Sequence, residues 1–179
     1  MCSPVGDGTA AAILCSEKFL KTHPSSRAVP IRASILRSGS WTENTISERA
    51  VKPAYEMAGL GPEDINVAEV HDATAFGELY QTEKLAFCPE GEGGIFAESG
   101  ATALDGKLPV NPSGGLLSRG HPIGASGLAQ IYELVTQLRG EAGKRQVSEP
   151  GIALAENGGG TIGFGEAAMC IHILERPMR

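Results

Sequence analysis

Three short stretches carry groups that can move protons or stabilise negative charge: His71-Asp72-Ala73-Thr74, Gly120-His121-Pro122 and Glu156-Asn157-Gly158-Gly159-Gly160. His121 has the most chemistry within reach. Pro122 suits the first position of a helix, because its missing N–H would have no partner there and its φ is already helical. The positive end of a helix dipole disfavours a second positive charge, so this placement favours a neutral ring. A neutral imidazole takes a proton from a nucleophile, or donates its N–H to a carbonyl oxygen that is gaining charge. The flanking glycines let a backbone or a flat ligand come close. On the tripeptide alone, a histidine that merely packs at a helix start fits equally well. Gly158 to Gly160 would offer backbone N–H groups to an oxyanion, although a glycine triplet by itself is most often a turn.

In layered α/β sheets the ligand crevice lies outside strand ends, so three such stretches can converge if strands and helices alternate between them. The chain reads that way. Val29 to Leu36 predicts a strand with Ile31, Ala33 and Ile35 on one face. Apolar residues at 46, 50, 54 and 58 predict a helix closed by Gly59, with Pro53 implying a kink or a later start. Val67 to His71 reads as a short buried strand, and Thr74 to Phe87 as a helix. Cys88 to Pro109 is a Gly-rich acidic excursion. Ile123, Gly127, Leu128, Ile131, Leu134, Val135 and Leu138 then form one apolar helical stripe ending at Gly140. Ile152 to Ala155 predicts a strand running into the glycine loop, and Glu166 to Leu174 a last strand. This order implies α/β layers with one antiparallel edge. Before it, residues 1–27 hold a turn at Gly6-Asp7-Gly8, a strand at Thr9 to Leu14, a helix capped by Ser16, and a linker from His23 to Ser26. A strand at the very start, with no partner before it, reads as the end of something larger.

Composition narrows the partners. The 179 residues suffice for one domain with a real core, and a net charge of −6 argues against nucleic acid and anionic membrane. No stretch approaches the ~20 apolar residues of a membrane span. Cys2, Cys15, Cys88 and Cys170 are scattered without a CxxC pair, so the expectation is a reduced, cytoplasmic protein without a metal site. Neither GxxxxGK[ST] nor a strand-borne GxGxxG supports a nucleotide binder.

Taken together, CSPVGDGTAAAIL at 2–14, EVHDATAFGELYQTEKLAFCPEGEGG at 69–94, NPSGGLLSRGHPIGASGLAQIYELVTQLRG at 111–140 and ENGGGTIGFGEAAMCIHIL at 156–174 resemble the thiolase superfamily. The likeness is closest to sterol-carrier-protein-type thiolases and bacterial thiolase-like proteins. It implies a thiolase-like C-terminal domain over residues 28–179, a layered α-β-α fold with a mixed five-stranded sheet, preceded at 1–27 by the end of the N-terminal domain. By that resemblance His121 falls on the histidine of the GHP motif, which activates the nucleophilic cysteine. His71 falls on the histidine of the HDCF motif, which polarises a thioester carbonyl. Gly159 and Gly120 take oxyanion or substrate-binding positions, and Asn157 stands where the CxG motif has a catalytic cysteine.

The departures are as specific. The family's nucleophilic cysteine belongs to the N-terminal half, and none of the four cysteines here aligns with it. Ala73 and Asn157 occupy the two positions where subfamilies keep an acid/base cysteine, and neither side chain shuttles protons at neutral pH. The resemblance therefore implies part of an acyl-CoA C-acyltransferase, with a coenzyme A thioester as substrate and no further cofactor, inactive as an isolated segment. The alternative is a non-catalytic acyl-CoA-binding or scaffolding module. Either way it implies an N-terminal thiolase half or a partner subunit, homo-oligomers, and an exposed apolar face where that partner docks.

Overall fold

The computed structural model describes residues 1–42, 46–163 and 165–177; Phe164, within the last quoted segment, lies outside them. Among the described residues the helices are α1 (Glu17–Thr22), α2 (Ile46–Ala58), α3 (Ala75–Lys84), α4 (Gly93–Glu98), α5 (Gly115–Arg119) and α6 (Ser126–Leu138). The strands β1 (Ile31–Ser38), β2 (Val67–Glu69), β3 (Ile152–Gly159) and β4 (Ala168–Glu175) form one mixed sheet in the spatial order β1-β4-β3-β2. β2 and β3 run parallel, while β4 is antiparallel to both of its neighbours. No helix among the described residues is long and apolar enough to cross a membrane.

The sheet has four strands, not the expected five. Beside β2 a single residue tries to extend it: Val110 bridges Ala68, with the Ala68 N–H donating to the Pro109 carbonyl at 3.0 Å and the Asn111 N–H to the Ala68 carbonyl at 2.8 Å. Pro109 and Pro112 lack the N–H a ladder needs, and Asn111 sits at φ 52, outside the extended region. Pairing stops there.

Alternation along the strands sends neighbouring side chains to opposite faces, and each face meets its own helix. On one side Ala33, Ile35, Leu154, Met169, Ile171 and Ile173 pack with Ile46, Ala50, Val51, Ala54 and Ala58 of α2. The expected stripe at 46, 50, 54 and 58 is the buried face. Pro53 does not delay the helix, because the Arg49 carbonyl that it leaves free accepts Nε of Arg37 from β1 at 3.1 Å. On the other side Leu134 and Leu138 of α6 pack with Val67, Ala153, Ala155 and Leu174.

Ile131 and Val135 of the expected stripe pack against this cluster as well, but its start is corrected. Ile123 is 72% exposed and Leu128 43%, while Ser126, Gln130, Glu133 and Gln137 are buried. The buried polar groups are satisfied: Glu133 holds Arg145 at 2.9 Å, and Gln137 receives the Val147 N–H and donates to the Arg145 carbonyl. Strand assignments also change, and β2 ends at Glu69, short of the expected His71. Asn157, Gly158 and Gly159 are not loop but strand, in register with Cys170, Met169 and Ala168, because β4 runs alongside to supply the ladder. Thr9 to Leu14 is not a strand; among the described residues no strand pairs with it, and Ile13 is 97% exposed.

Candidate functional site

His71 lies two residues beyond β2, and its backbone is clasped from both sides. The Val70 N–H donates to Asn111 Oδ1 at 2.8 Å, and the His71 N–H to Glu156 Oε2 at 2.9 Å. Asp72 points elsewhere. Its carboxylate accepts the N–H groups of Leu116 at 2.6 Å and Leu117 at 3.3 Å, and so holds the start of α5. Gly115 must be glycine for this: at φ 61, a Cβ would lie 2.1 Å from Asp72 Oδ2. The histidine serves the site while its neighbour anchors the segment leading to the second histidine.

Gly120, at φ 87, ends α5 by donating its N–H to the Leu116 carbonyl at 2.9 Å. It is therefore not a free oxyanion donor; its part is the left-handed turn that delivers His121. The His121 N–H donates to the Pro4 carbonyl at 2.8 Å, and the same N-terminal segment gives the Ser3 N–H to the Ala73 carbonyl at 2.9 Å. Residues 1–5 thereby tie both histidine loops together. α6 begins at Ser126, not at Pro122: the Pro122 carbonyl closes a preceding turn by accepting from Ala125 at 2.8 Å and Ser126 at 3.0 Å. His121 stands about a turn ahead of the helix, where the dipole has faded.

What orients the His121 ring is Ser126. Its Oγ lies 2.8 Å from His121 Nδ1 and 3.1 Å from the Pro122 carbonyl. A carbonyl only accepts, so the hydroxyl proton goes to Pro122 and Oγ accepts from Nδ1–H. Nε2 of His121 then carries the lone pair and is the basic nitrogen. The rings of His71 and His121 meet edge to face, their centroids 4.9 Å apart at 79°. Asn157 Nδ2 sits 3.0 Å from His71 Nδ1. Residues 71, 121 and 157 are thus brought to one place on the α6 side of the sheet. Burial first, and the charge of His121 second, hold His71 down at about 4, so near neutral pH it is an uncharged ring with one N–H to donate. Gly159 follows Asn157 on the same face, and a side chain there would meet nothing within 4 Å. The floor beside the two rings is open.

Two further side chains at the site, Gln130 and Glu156, were given no role of their own by the motifs. Gln130, fully buried, donates Nε2 to the Glu156 carbonyl at 2.9 Å and receives Asn157 Nδ2 at 3.0 Å. The Glu156 side chain is equally buried; burial, then the charge of Glu166, pushes its carboxyl up to about 8. A signal existed: Ser126, Gln130, Glu133 and Gln137 repeat at helical spacing as regularly as the apolar residues do.

Among the described residues no cysteine sulfur is hydrogen-bonded to either imidazole, and no cluster of His, Cys, Asp and Glu is placed to hold a metal ion. Cys170 lies opposite Asn157 on β4, but burial first, and then Glu156, raise its thiol above the ordinary range, the opposite of what an attacking thiolate needs.

Comparison with known proteins identifies the family. Residues 31–176 match the family model described as thiolase C-terminal domain-like. Sterol carrier protein 2 of Rattus norvegicus is 44% identical over 180 residues, covering 94% of this chain and 32% of that protein. Acetyl-CoA acetyltransferase of Methanothermobacter thermautotrophicus is 43% identical over 183 residues, covering 98% of this chain and 46% of that protein. The structure of human mitochondrial 3-ketoacyl-CoA thiolase aligns with a TM-score of 0.61 at 21% identity, over 91% of this chain and 34% of that one, a likeness of fold alone. The chain spans less than half the length of these relatives. With a layered α/β fold, two facing histidines and a family match over most of its length, the chain belongs to the thiolase family, through the C-terminal domain of that fold.

Proposed function

We propose that this chain supplies the acid–base half of an acyl-CoA C-acyltransferase, making or breaking a carbon–carbon bond next to a thioester. The observation that carries the reading is the pair of imidazoles 4.9 Å apart, one with its lone pair on Nε2 and the other neutral by burial. In the reaction, a cysteine thiol from an N-terminal thiolase half, in a longer chain or a partner subunit, loses its proton to Nε2 of His121. The resulting thiolate attacks the thioester carbonyl, and the acyl group moves to the cysteine sulfur as coenzyme A leaves as its thiol. The ring N–H of His71, with the backbone N–H of Gly159, stabilises the tetrahedral oxyanion formed on the way. Coenzyme A thioester is the substrate, and no metal or further cofactor takes part. Four free cysteines fit a reducing, cytoplasmic setting.

A second reading has its own observation. Asn157 and Ala73 stand where the family resemblance expects an acid/base thiol, which favours a module that holds acyl-CoA without turning it over. One experiment separates the two. The complete gene product, incubated with acyl-CoAs of several chain lengths, is examined by intact mass spectrometry. The transferase reading expects a covalent acyl adduct, slowed about 10²–10⁴-fold in His121→Ala with the fold retained. Binding without any adduct would establish the scaffold reading instead.

A further inference from the structure

We propose that Gln130, a buried amide on α6 that no motif marks, is a positioning residue that locks His71 as an Nε2–H donor. This rests on the reading of His71 as the oxyanion donor, and adds what sets its proton. The assignment proceeds from one group whose role is not adjustable. The Glu156 backbone carbonyl can only accept, so the Gln130 atom 2.9 Å from it is the amide nitrogen. Oε1 of Gln130 must then be the atom facing Asn157 at 3.0 Å, and an oxygen there requires a donor. Asn157 therefore turns Nδ2 toward it. The same Nδ2 lies 3.0 Å from His71 Nδ1, so its second N–H points at the ring. Nδ1 must hold a lone pair, and the single proton of the neutral ring is left on Nε2. The circuit closes on the residue where it began, because the His71 backbone N–H donates to Oε2 of the Glu156 side chain at 2.9 Å.

The two histidines are thereby held in opposite tautomers by different helix residues. Ser126 takes the Nδ1 proton of His121, and Gln130, one turn further along α6, denies one to Nδ1 of His71. Base and donor cannot exchange roles without breaking hydrogen bonds that are largely buried. An amide at position 157 suits this arrangement better than a thiol, which has one weak proton and could not serve both Gln130 and His71.

The test reads the proton directly and needs no substrate. In the ¹⁵N-labelled 179-residue chain, two-bond ¹H–¹⁵N correlation of the imidazoles distinguishes protonated from bare ring nitrogens. At pH 7 the expected pattern is bare Nδ1 and protonated Nε2 for His71, and the reverse for His121. Gln130→Met keeps the chain length and removes both polar contacts. It should turn His71 from one tautomer into a mixture while His121 stays as it was, a selectivity that a general loosening of the fold would not produce. Asn157→Asp replaces the donor by an acceptor, and should move the His71 proton to Nδ1. That variant decides the matter if Gln130→Met does not fold. A His71 proton on Nδ1 in the unaltered chain, or a pure Nε2–H form surviving both substitutions, overturns the lock. Neither result bears on whether acyl transfer occurs, so the two readings fail separately.

Discussion

Helices α2 and α6 are each 13 residues long, lie on opposite faces of the same sheet, and look equally amphipathic in sequence. Their burial differs. In α2 the apolar stripe and the buried face coincide, and alanines at 50, 54 and 58 let the helix lie close on the sheet. In α6 they diverge: Leu134 and Leu138 face the sheet beside buried Ser126, Gln130, Glu133 and Gln137, while Leu128 and Tyr132, with Ile123 just ahead of the helix, remain exposed. A helix with only packing to do can follow its hydrophobic period. One that must also orient two histidines places polar side chains inward, each needing a partner, and spends apolar positions on an outer surface.

The difference should show first in how each helix fails. Leu134 is fully buried against Val67, Ala153 and Ala155. Leu134→Ala leaves a cavity that the short alanines opposite cannot fill, at a cost of about 2–5 kcal/mol. On α2 the sensitive change is the reverse one. Ala50→Leu forces extra volume between helix and sheet where no space exists, and should cost about 1–3 kcal/mol. Urea unfolding midpoints of both variants check the pair; an Ala50→Leu chain as stable as the parent would show that α2 is not seated as tightly as its alanines indicate.

The one carboxylate on the α2 face of β3 gives a pH test. Glu156 is raised to about 8 and Glu69 to about 7, both above the ordinary 4.5. The folded chain therefore binds more protons than the unfolded one between those limits, and stability falls as pH rises through them. His71, at about 4 folded against 6.5 unfolded, acts in the opposite sense, but only below pH 6.5. Between pH 6.5 and 8 the glutamates decide, and stability should drop by roughly 1 kcal/mol per pH unit. Glu156→Gln keeps an oxygen for the His71 N–H and removes the titration. Its urea midpoint should fall much less steeply from pH 7 to 8, where only Glu69 is left to complete its ionisation. A slope unchanged by the substitution would mean that Glu156 is ionised in the folded chain throughout.

How far the fold could be read beforehand follows the same division. α2 and β1 were legible because local propensity and tertiary burial agree there, whereas α1, which buries no residue, was legible from its cap alone; Ser16 accepts the Phe19 N–H at 3.1 Å as its position before a short helix predicts. The meeting of His71, His121 and Asn157 was also legible, because strand ends in a layered sheet share an edge. Other features were not. Asn157 to Gly159 look like a turn, and only the pairing with Cys170 to Ala168 makes them strand. Gln130 looks like a solvent residue until the Glu156 carbonyl is placed 2.9 Å from it. The polar repeat at 126, 130, 133 and 137 marks a face of the helix, but it does not name a partner 26 residues away.

The smallest expected effect lies on the outer face of α6, and it is informative because it should be small. Tyr132 is 64% exposed, and makes no side-chain hydrogen bond among the described residues. Tyr132→Lys places a solvated charge where a solvated ring had been, so the unfolding midpoint should move by less than about 0.5 kcal/mol. Association should respond instead. Ile123 and Leu128 continue the same apolar surface at 72% and 43% exposure. Exposed apolar side chains of this kind are the sort of surface that a protein partner covers. Light scattering of the parent chain should therefore show self-association that Tyr132→Lys reduces. A parent chain that is monomeric at every concentration would mean that the outward residues of α6 are ordinary surface, and that its polar inner face needs no partner to explain it.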